Sequence, residues 1–231
     1  HPHISDVRAL FKETRNHITR FFLVQEYVPA PSLAKLLEER PLTEDEVRAV
    51  LRGMLEALAY LHEFSPPILH RDIKPDNILV RRLSDGSLSP VLIDFDTARG
   101  AAVDMHMGDA TMVGSPGFMP MEQMLGKPEP ASDLYALGVS LVCAITGQHP
   151  SQLATDNMRL QYRTPEIEQR YSPALLSLLA KTSKLCWHLK RDELLMRNEP
   201  ISEETLLRRI YHTAPAMLRQ KYSRDHFAVA V

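Results

Sequence analysis

The 231-residue chain is poor in cysteine, glycine and aromatic residues, and it has no marked excess of charge of either sign. Its two cysteines, Cys143 and Cys186, are far apart, which excludes a disulfide scaffold and favours a reducing compartment such as the cytoplasm. Lys and Arg number 27 and Asp and Glu 29, giving a net charge of −2. Electrostatics therefore gives no reason to expect nucleic acid or an anionic membrane as a partner.

The chain also lacks a hydrophobic run long enough to cross a bilayer. The longest stretch without a charged residue or histidine covers residues 134–148 and includes Gly138 and Ser140. A membrane span needs roughly 20 apolar residues, so this stretch is expected to be a buried helix and no membrane segment is expected within this chain.

Residue patterns predict an α+β fold that is mostly helical. Runs of β-forming residues at 7–11 and 21–27, on either side of polar residues 13–16, predict a strand pair. Thr43 and Glu46 form a capping box at the start of an amphipathic helix that extends to about Leu61. A turn at 84–87 predicts a second hairpin. Further helices are expected after Ser32 and over 132–146, 172–184 and 202–211.

The segment 70–77 reads HRDIKPDN, and it is followed by a predicted hairpin that ends at Asp94-Phe95-Asp96. Seven of its eight residues match the catalytic-loop pattern of eukaryotic-type Ser/Thr protein kinases, so the chain resembles that family. The resemblance implies a kinase C-terminal lobe over residues 29–231 and a remnant β hairpin of the N-terminal lobe, with the hinge, over 1–28. The likeness is weaker after about residue 150.

The resemblance implies transfer of the γ-phosphate of Mg-ATP to Ser or Thr hydroxyls of protein substrates, with ATP and Mg²⁺ as cofactors. Asp72 would orient the attacking hydroxyl and accept its proton, and Lys74 would neutralise the transferring phosphate. Asn77 and Asp94 would supply oxygen ligands to Mg²⁺, which prefers oxygen ligands.

Other matches extend the resemblance on both sides of this loop. Within residues 22–28, Gln25 takes the gatekeeper position, and the Glu26 carbonyl and Val28 N–H would pair with adenine. Leu79 would form the floor beneath the base.

A further set of matches concerns the support of the loop and the activation segment. Ser115 would contact the catalytic loop, and Glu122 is the one residue kept from the family's Ala-Pro-Glu pattern. Asp133 would brace the backbone of the catalytic loop, where His70 and Arg71 have structural roles. Thr111 lies in the activation segment, and its phosphate could pair with the arginine that precedes Asp72.

The sequence departs from the family pattern at three places. The first glycine is Gly53, so no glycine-rich phosphate loop precedes the hinge, and Lys12, assigned to a polar turn, is the only lysine before Lys35. With His1 rather than Met at the start, these features indicate an N-terminally truncated kinase that would be inactive as given. Asp96 replaces a glycine that would tolerate positive φ. In place of the family's arginine that pairs with the activation-segment glutamate, the sequence has Lys190 and Arg191 near the expected position.

Two alternative functions stay open at this point. A small-molecule phosphotransferase of the aminoglycoside or choline kinase type shares the His-x-Asp…Asn loop, and residues 94–100 lean slightly towards it. Lys74 argues against it. The long separation between Asp94 and Asp133 also argues against it, since it leaves room for a peptide-docking segment. The other alternative is a pseudokinase that only binds, against which stands the retention of the predicted base and both metal ligands.

Overall fold

The structure is a computed structural model that describes residues 1–15, 18–95, 114–156 and 159–183. The strands are β1 (Val7–Arg15), β2 (Ile18–Gln25), β3 (Ile78–Arg82), β4 (Leu88–Leu92), β5 (Thr155–Asp156) and β6 (Arg159–Leu160). The helices are α1 (Leu33–Leu37), α2 (Glu44–His62), α3 (Met121–Met124), α4 (Pro130–Thr146), α5 (Pro165–Arg170) and α6 (Pro173–Thr182). Single 3-10 turns occur at Pro75–Asn77 and Pro150–Gln152.

Helices α2 and α4 form the centre of the body. The predicted capping box of α2 is confirmed, since Thr43 accepts from the Glu46 N–H and the Glu46 carboxylate accepts from the Thr43 N–H. Its apolar stripe packs against α4 and β4, and every apolar residue of α4 from Leu134 to Ile145 except Tyr135 is buried. Helix α4 begins at Pro130, two residues earlier than predicted, because Glu129 and Ser132 cap its first turn. The predicted buried helix is confirmed.

The three sheets are antiparallel pairs of strands. The β1–β2 hairpin pairs Phe11 with Phe22 and continues to the pair of Arg15 with Ile18. The prediction of a polar turn beginning at Glu13 is therefore wrong, and Lys12 also lies in a strand. Pairing with β2 continues through Glu13, Thr14 and Arg15, and all three are exposed.

The second hairpin, β3–β4, is confirmed, and it lies directly after segment 70–77. Helix α6 begins after Ser172, which caps it as predicted. The short β5–β6 pair is not predicted from the sequence, because two-residue strands carry too little alternation to be recognised. The predicted helix at 202–211 lies outside the described residues.

None of the helices in the described ranges is both long enough and apolar enough to span a bilayer.

We predict that Gly138→Ala destabilises the chain, because α4 and the end of α6 touch at this glycine. An added Cβ would lie 2.8 Å from the Thr182 hydroxyl oxygen and 2.8 Å from the Ser183 backbone nitrogen. Alanine ordinarily stabilises a helix by about 0.5–1 kcal/mol relative to glycine, but overpacking typically costs about 1–3 kcal/mol. The midpoint of urea-induced unfolding should therefore fall.

The matched control for this prediction is Ser177→Ala, on the exposed side of α6. It places an alanine on the exposed side of a helix by removing a hydroxyl rather than by adding a carbon against a neighbour, so its midpoint should stay the same or rise slightly. An unchanged midpoint for Gly138→Ala would contradict the close approach of the two helices.

Candidate active site

The segment 70–77 connects α2 to β3, and the carboxylate of Asp133, in the first turn of α4, holds its start. One carboxylate oxygen, Oδ2, accepts hydrogen bonds from the His70 N–H at 3.0 Å and from His62 Nε2 at 2.9 Å. The other, Oδ1, accepts from the Arg71 N–H at 2.8 Å. Burial raises the pKa of Asp133, but the hydrogen bond and charge of His62 and the other contacts outweigh burial. The pKa therefore lies below its ordinary value. Asp133 is therefore ionised and fully satisfied.

This network supports an uncommon backbone conformation. Arg71 has a φ of 68°, in the left-handed region that disfavours residues with a side chain. Such a residue costs of the order of 1–3 kcal/mol and needs surrounding structure to hold it. The Asp133 carboxylate bonds the Arg71 N–H, and Gln123 Nε2 donates to the Arg71 carbonyl, so both sides of the strained residue are fixed.

Asp72, which follows Arg71, lies among polar groups that keep it ionised. Its Oδ2 is 3.0 Å from Lys74 Nζ and accepts from Asn77 Nδ2 at 3.1 Å. Lys74 Nζ also donates to Ser115 Oγ at 2.7 Å, which joins residue 115 to the loop. Burial raises the pKa of Asp72, but the hydrogen bonds of Ser115 and Lys74 and the lysine charge lower it below its ordinary value.

The second oxygen of Asp72 is different. Oδ1 is buried and has no hydrogen-bond partner among the described residues. A buried carboxylate oxygen without a donor costs free energy, so a donor group that reached Oδ1 would stabilise it.

Asn77 and Asp94 have the chemistry of a magnesium pair. The Asn77 amide nitrogen donates to Asp72, so the amide oxygen is the atom left for another ligand. Asp94 follows β4 with a φ of 67°, and the Ile93 N–H donates to the Asn77 carbonyl at 3.0 Å. The two side chains thus project from neighbouring backbone segments. Both offer the hard oxygen ligands that Mg²⁺ prefers, so these residues fit the ion.

His70 couples the loop to the segment that carries Asp94. Its Nε2 lies 2.9 Å from the Ile93 carbonyl, and its ring packs edge-on against Phe95 at a centroid distance of 4.8 Å. Burial lowers the pKa of His70 below its ordinary value despite the nearby carboxylates. A neutral imidazole is therefore expected here, with Nε2 as the donor.

The predicted hinge lies between the β1–β2 hairpin and the body. The Glu26 N–H donates to the Asp6 carbonyl at 2.8 Å, and Val28 is buried. Leu79 lies on β3, where it pairs with Val91 and forms an isolated bridge with Ser32. The structure thus brings the chain just after the hinge alongside the strand that carries Leu79.

Glu122 is buried at the start of α3. Its Oε1 accepts from Ser132 Oγ at 3.1 Å, while Oε2 is buried without a hydrogen-bond partner among the described residues. The suggested cationic partners, Lys190 and Arg191, lie outside the described residues, as do Thr111 and Asp96.

Three supporting residues were missed from the sequence: His62, Gln123 and Ser132. For His62 a signal exists, because a histidine at a core-facing position of the α2 stripe needs a buried polar partner. Gln123 and Ser132 carry no comparable signal, since each is the third residue of a helix, α3 or α4, whose orientation only the fold reveals.

Comparison with known proteins agrees with this geometry. A family model of the protein kinase domain matches residues 1–207. Serine/threonine-protein kinase PknA of Nostoc sp. is 44% identical over 144 residues, covering 60% of this chain and 25% of that protein. Serine/threonine-protein kinase C of Synechocystis sp. is 36% identical over 188 residues, covering 78% and 32%.

Human serine/threonine-protein kinase ULK1 is 33% identical over 182 residues, covering 73% of this chain and 17% of that protein. The chain belongs to the protein kinase domain family, and the resemblance inferred from segment 70–77 is confirmed. The chain spans about a quarter to a third of the length of the relatives from Nostoc and Synechocystis.

We predict that acid destabilises the folded chain partly through His70. Because the pKa of His70 is lowered in the folded state, His70 takes up a proton near pH 6.5 in the unfolded chain but not in the folded chain. Stability should therefore rise with pH from the lowered folded-state pKa up to about 6.5, and level off above it for this group.

The measurement is the urea-unfolding midpoint of the chain and of His70→Phe between about pH 5 and pH 7.5. Phenylalanine keeps the ring contact with Phe95 but cannot titrate, so the variant should be less stable at neutral pH yet lose less stability on acidification. Parallel pH curves for the two proteins would show that His70 is not held neutral.

Proposed function

We propose that this chain is the catalytic part of a Ser/Thr protein kinase, which transfers the γ-phosphate of ATP to hydroxyl groups of protein substrates. The observation that carries the proposal is the arrangement around Asp72. An ionised carboxylate, one oxygen of which has no donor among the described residues, lies 3.0 Å from a lysine that is itself bonded to Ser115. Phosphoryl transfer needs positioning and charge neutralisation at such a place more than covalent catalysis.

Four residues of the chain have separate proposed roles in this transfer. Asp72 accepts the proton of the substrate hydroxyl as that oxygen bonds to the γ-phosphorus and the bond to the β-phosphate oxygen breaks, releasing ADP. Lys74 stabilises charge on the transferring phosphoryl group. Ser115 holds Lys74 in place and ties the activation segment to the loop, and Asp133 fixes the backbone on which Asp72 stands.

Asn77 and Asp94 are the residues that would hold Mg²⁺, which supplies charge neutralisation on the phosphates when bound. The Glu26 carbonyl and the Val28 N–H are proposed to pair with adenine, and Leu79 to lie beneath the base. Because Asn77 is bonded to Asp72 on one side and to the Ile93 backbone on the other, the metal-binding side and the hydroxyl-binding side share one rigid support.

We further propose that residues 1–28 are N-terminal-lobe strands with the hinge, and that residues 29–231 form the C-terminal lobe. In support, β1 is exposed along its whole length, and Phe11 stacks on Phe22 at a centroid distance of 5.0 Å on an open face of the hairpin. Leu23, by contrast, packs against the core of the body. A two-stranded hairpin is marginal alone and gains from further strands.

The alternatives receive less support. The relatives named as serine/threonine-protein kinases favour protein hydroxyls over the small substrates of aminoglycoside-type enzymes. The contact of Lys74 with Ser115 points the same way, because it joins the loop to the segment that would receive a peptide. A pseudokinase has no need of an ionised Asp72 whose Oδ1 has no donor within the described part of the chain.

The central prediction is that Asp72→Asn abolishes phosphate transfer while nucleotide affinity stays within about twofold of the parent. Loss of a positioned base typically costs about 10²–10⁴-fold in rate, and Asp72 acts on the hydroxyl rather than on the nucleotide. The assay is γ-phosphate transfer to a generic Ser/Thr protein substrate, with nucleotide binding followed separately. It should use the whole gene product, because the 231 residues have no glycine-rich loop before Gly53.

Asp45→Asn is the matched control, since Asp45 is exposed at the start of α2 and far in sequence from the loop. It should leave turnover unchanged. Normal turnover by Asp72→Asn would assign the base to another residue, and turnover by the 231 residues alone would favour an atypical phosphotransferase.

A second prediction concerns Thr111. We expect autophosphorylation there, because a phosphate carries about −1.5 to −2 charges and three strong acceptors that suit an arginine such as Arg71. Mass spectrometry after incubation with ATP should find the phosphate, and Thr111→Ala should reduce turnover, whereas Thr146→Ala, at the end of α4, should not. A fully active enzyme without phosphate on Thr111 would refute this role.

A further inference from the structure

The side chain of Gln123, on α3, reaches the strained residue of segment 70–77. Gln123 is buried, with 5% of its surface exposed, and its Nε2 donates to the carbonyl of Arg71, 52 positions earlier in the chain. The amide nitrogen is the donor because a carbonyl oxygen only accepts. Since Gln123 is buried, any part that it plays in phosphate transfer must act through the residues that it contacts.

Gln123 and Asp133 together form a clamp on Arg71. Helices α3 and α4 are joined by a hydrogen bond of 3.1 Å from Ser132 Oγ to Glu122 Oε1. The next residue of each helix holds one side of Arg71, because Asp133 accepts from its N–H and Gln123 donates to its carbonyl. The joint between the two helices thus lies beside both halves of the clamp and fixes their separation.

The half of the clamp at Gln123 holds the peptide unit that leads into Asp72. The Arg71 carbonyl and the Asp72 N–H belong to one planar unit, so fixing the carbonyl fixes the start of Asp72. That N–H also donates to His70 Nδ1, but at 3.3 Å, so the bond from Gln123 is the shorter of the two. Because Arg71 has a φ of 68°, its conformation needs support on both sides.

Gln123 also contacts the backbone at Gly114. A Cβ added to Gly114 would lie 2.6 Å from Gln123 Nε2, so this glycine packs directly on the amide. The next residue, Ser115, accepts from Lys74, whose Nζ is 3.0 Å from Asp72. Two successive residues, 114 and 115, therefore contact two separate supports of Asp72, one on its backbone and one on its side chain.

From these contacts we propose that Gln123 is a positioning residue for phosphate transfer. It fixes the peptide unit between Arg71 and Asp72 and couples that unit to residues 114–115. The inference rests on the proposed function, since it assigns a role within that reaction. Loss of the hydrogen bond should lower kcat with little change in KM, because the direction of Asp72 matters when it acts on the substrate hydroxyl.

Two substitutions of similar length separate the hydrogen bond from the packing. Gln123→Met fills much the same space without a donor, and Gln123→Glu keeps the shape but donates only while its carboxyl is protonated. In the whole gene product, Gln123→Met should lower kcat about fivefold or more, with KM for ATP and for a generic Ser/Thr protein substrate within about twofold of the parent. Gln169→Met and Gln169→Glu, at an exposed position of α5, are the matched controls and should leave turnover unchanged.

The pH profile of Gln123→Glu is the readout that a merely structural role would not move. Below its pKa the introduced carboxyl donates to the Arg71 carbonyl as the amide does, and above it a carboxylate repels that oxygen. The titratable groups on the elements packed against this position are three carboxylates, two cations and a neutral imidazole, those of Asp72, Glu122, Asp133, Arg71, Lys74 and His70.

Burial and the three carboxylates raise the pKa of a carboxyl introduced at position 123, and the two cations oppose them in part. The ratio of kcat for Gln123→Glu to kcat for the parent should therefore fall about fivefold or more between about pH 5.5 and pH 8. The same ratio for Gln169→Glu should stay constant over this range.

Hydrogen–deuterium exchange without nucleotide tests the clamp apart from activity. In the whole gene product, Gln123→Met should speed exchange of the N–H groups of residues 70–73 about threefold or more, and Gln169→Met should not. A parent protein that transfers no phosphate would contradict the proposed function, whereas faster exchange in Gln123→Met would still show that this residue holds the loop.

Three results would overturn the proposal. An unchanged kcat for Gln123→Met would show that Asp72 does not depend on this hydrogen bond. A kcat ratio for Gln123→Glu that is independent of pH would show that donation to the Arg71 carbonyl is not what matters. Loss of folding in both variants, measured by circular dichroism and urea unfolding, would assign Gln123 to the stability of the body rather than to the position of the loop.

Discussion

The buried carboxylate of Asp133 is the interaction on which the rest of the site depends. Burying an isolated charge is very costly, so it is tolerated only when its hydrogen bonds are satisfied. Here two backbone N–H groups and His62 satisfy it. Because these donors belong to α2 and to the catalytic loop, one carboxylate on α4 joins the two central helices to the loop.

The position of Asp72 follows from this anchor. The left-handed backbone at Arg71 turns the chain sharply, and the next residue is then directed towards Lys74 and Asn77. A loop without such an anchor would sample other conformations, and the pre-organised geometry that phosphoryl transfer needs would be lost. The anchor therefore serves positioning, while Asp72, the residue proposed to accept the proton, lies one residue beyond Arg71.

The sequence was sufficient for features that local chemistry determines. The Thr43 capping box, the apolar stripe of α2 and segment 70–77 can each be recognised from a few neighbouring residues. The extension of β1 through Glu13 was missed because polar residues in an exposed ladder resemble a turn in composition. The capping of α4 by Glu129 was missed because glutamate is an uncommon N-cap residue.

Long-range contacts could not be predicted from local patterns, for a different reason. The partnership of His62 with Asp133 joins residues 71 positions apart, and that of Lys74 with Ser115 joins residues 41 positions apart. Propensity and periodicity describe only near neighbours, so such pairs appear only when the family resemblance or the fold supplies the register.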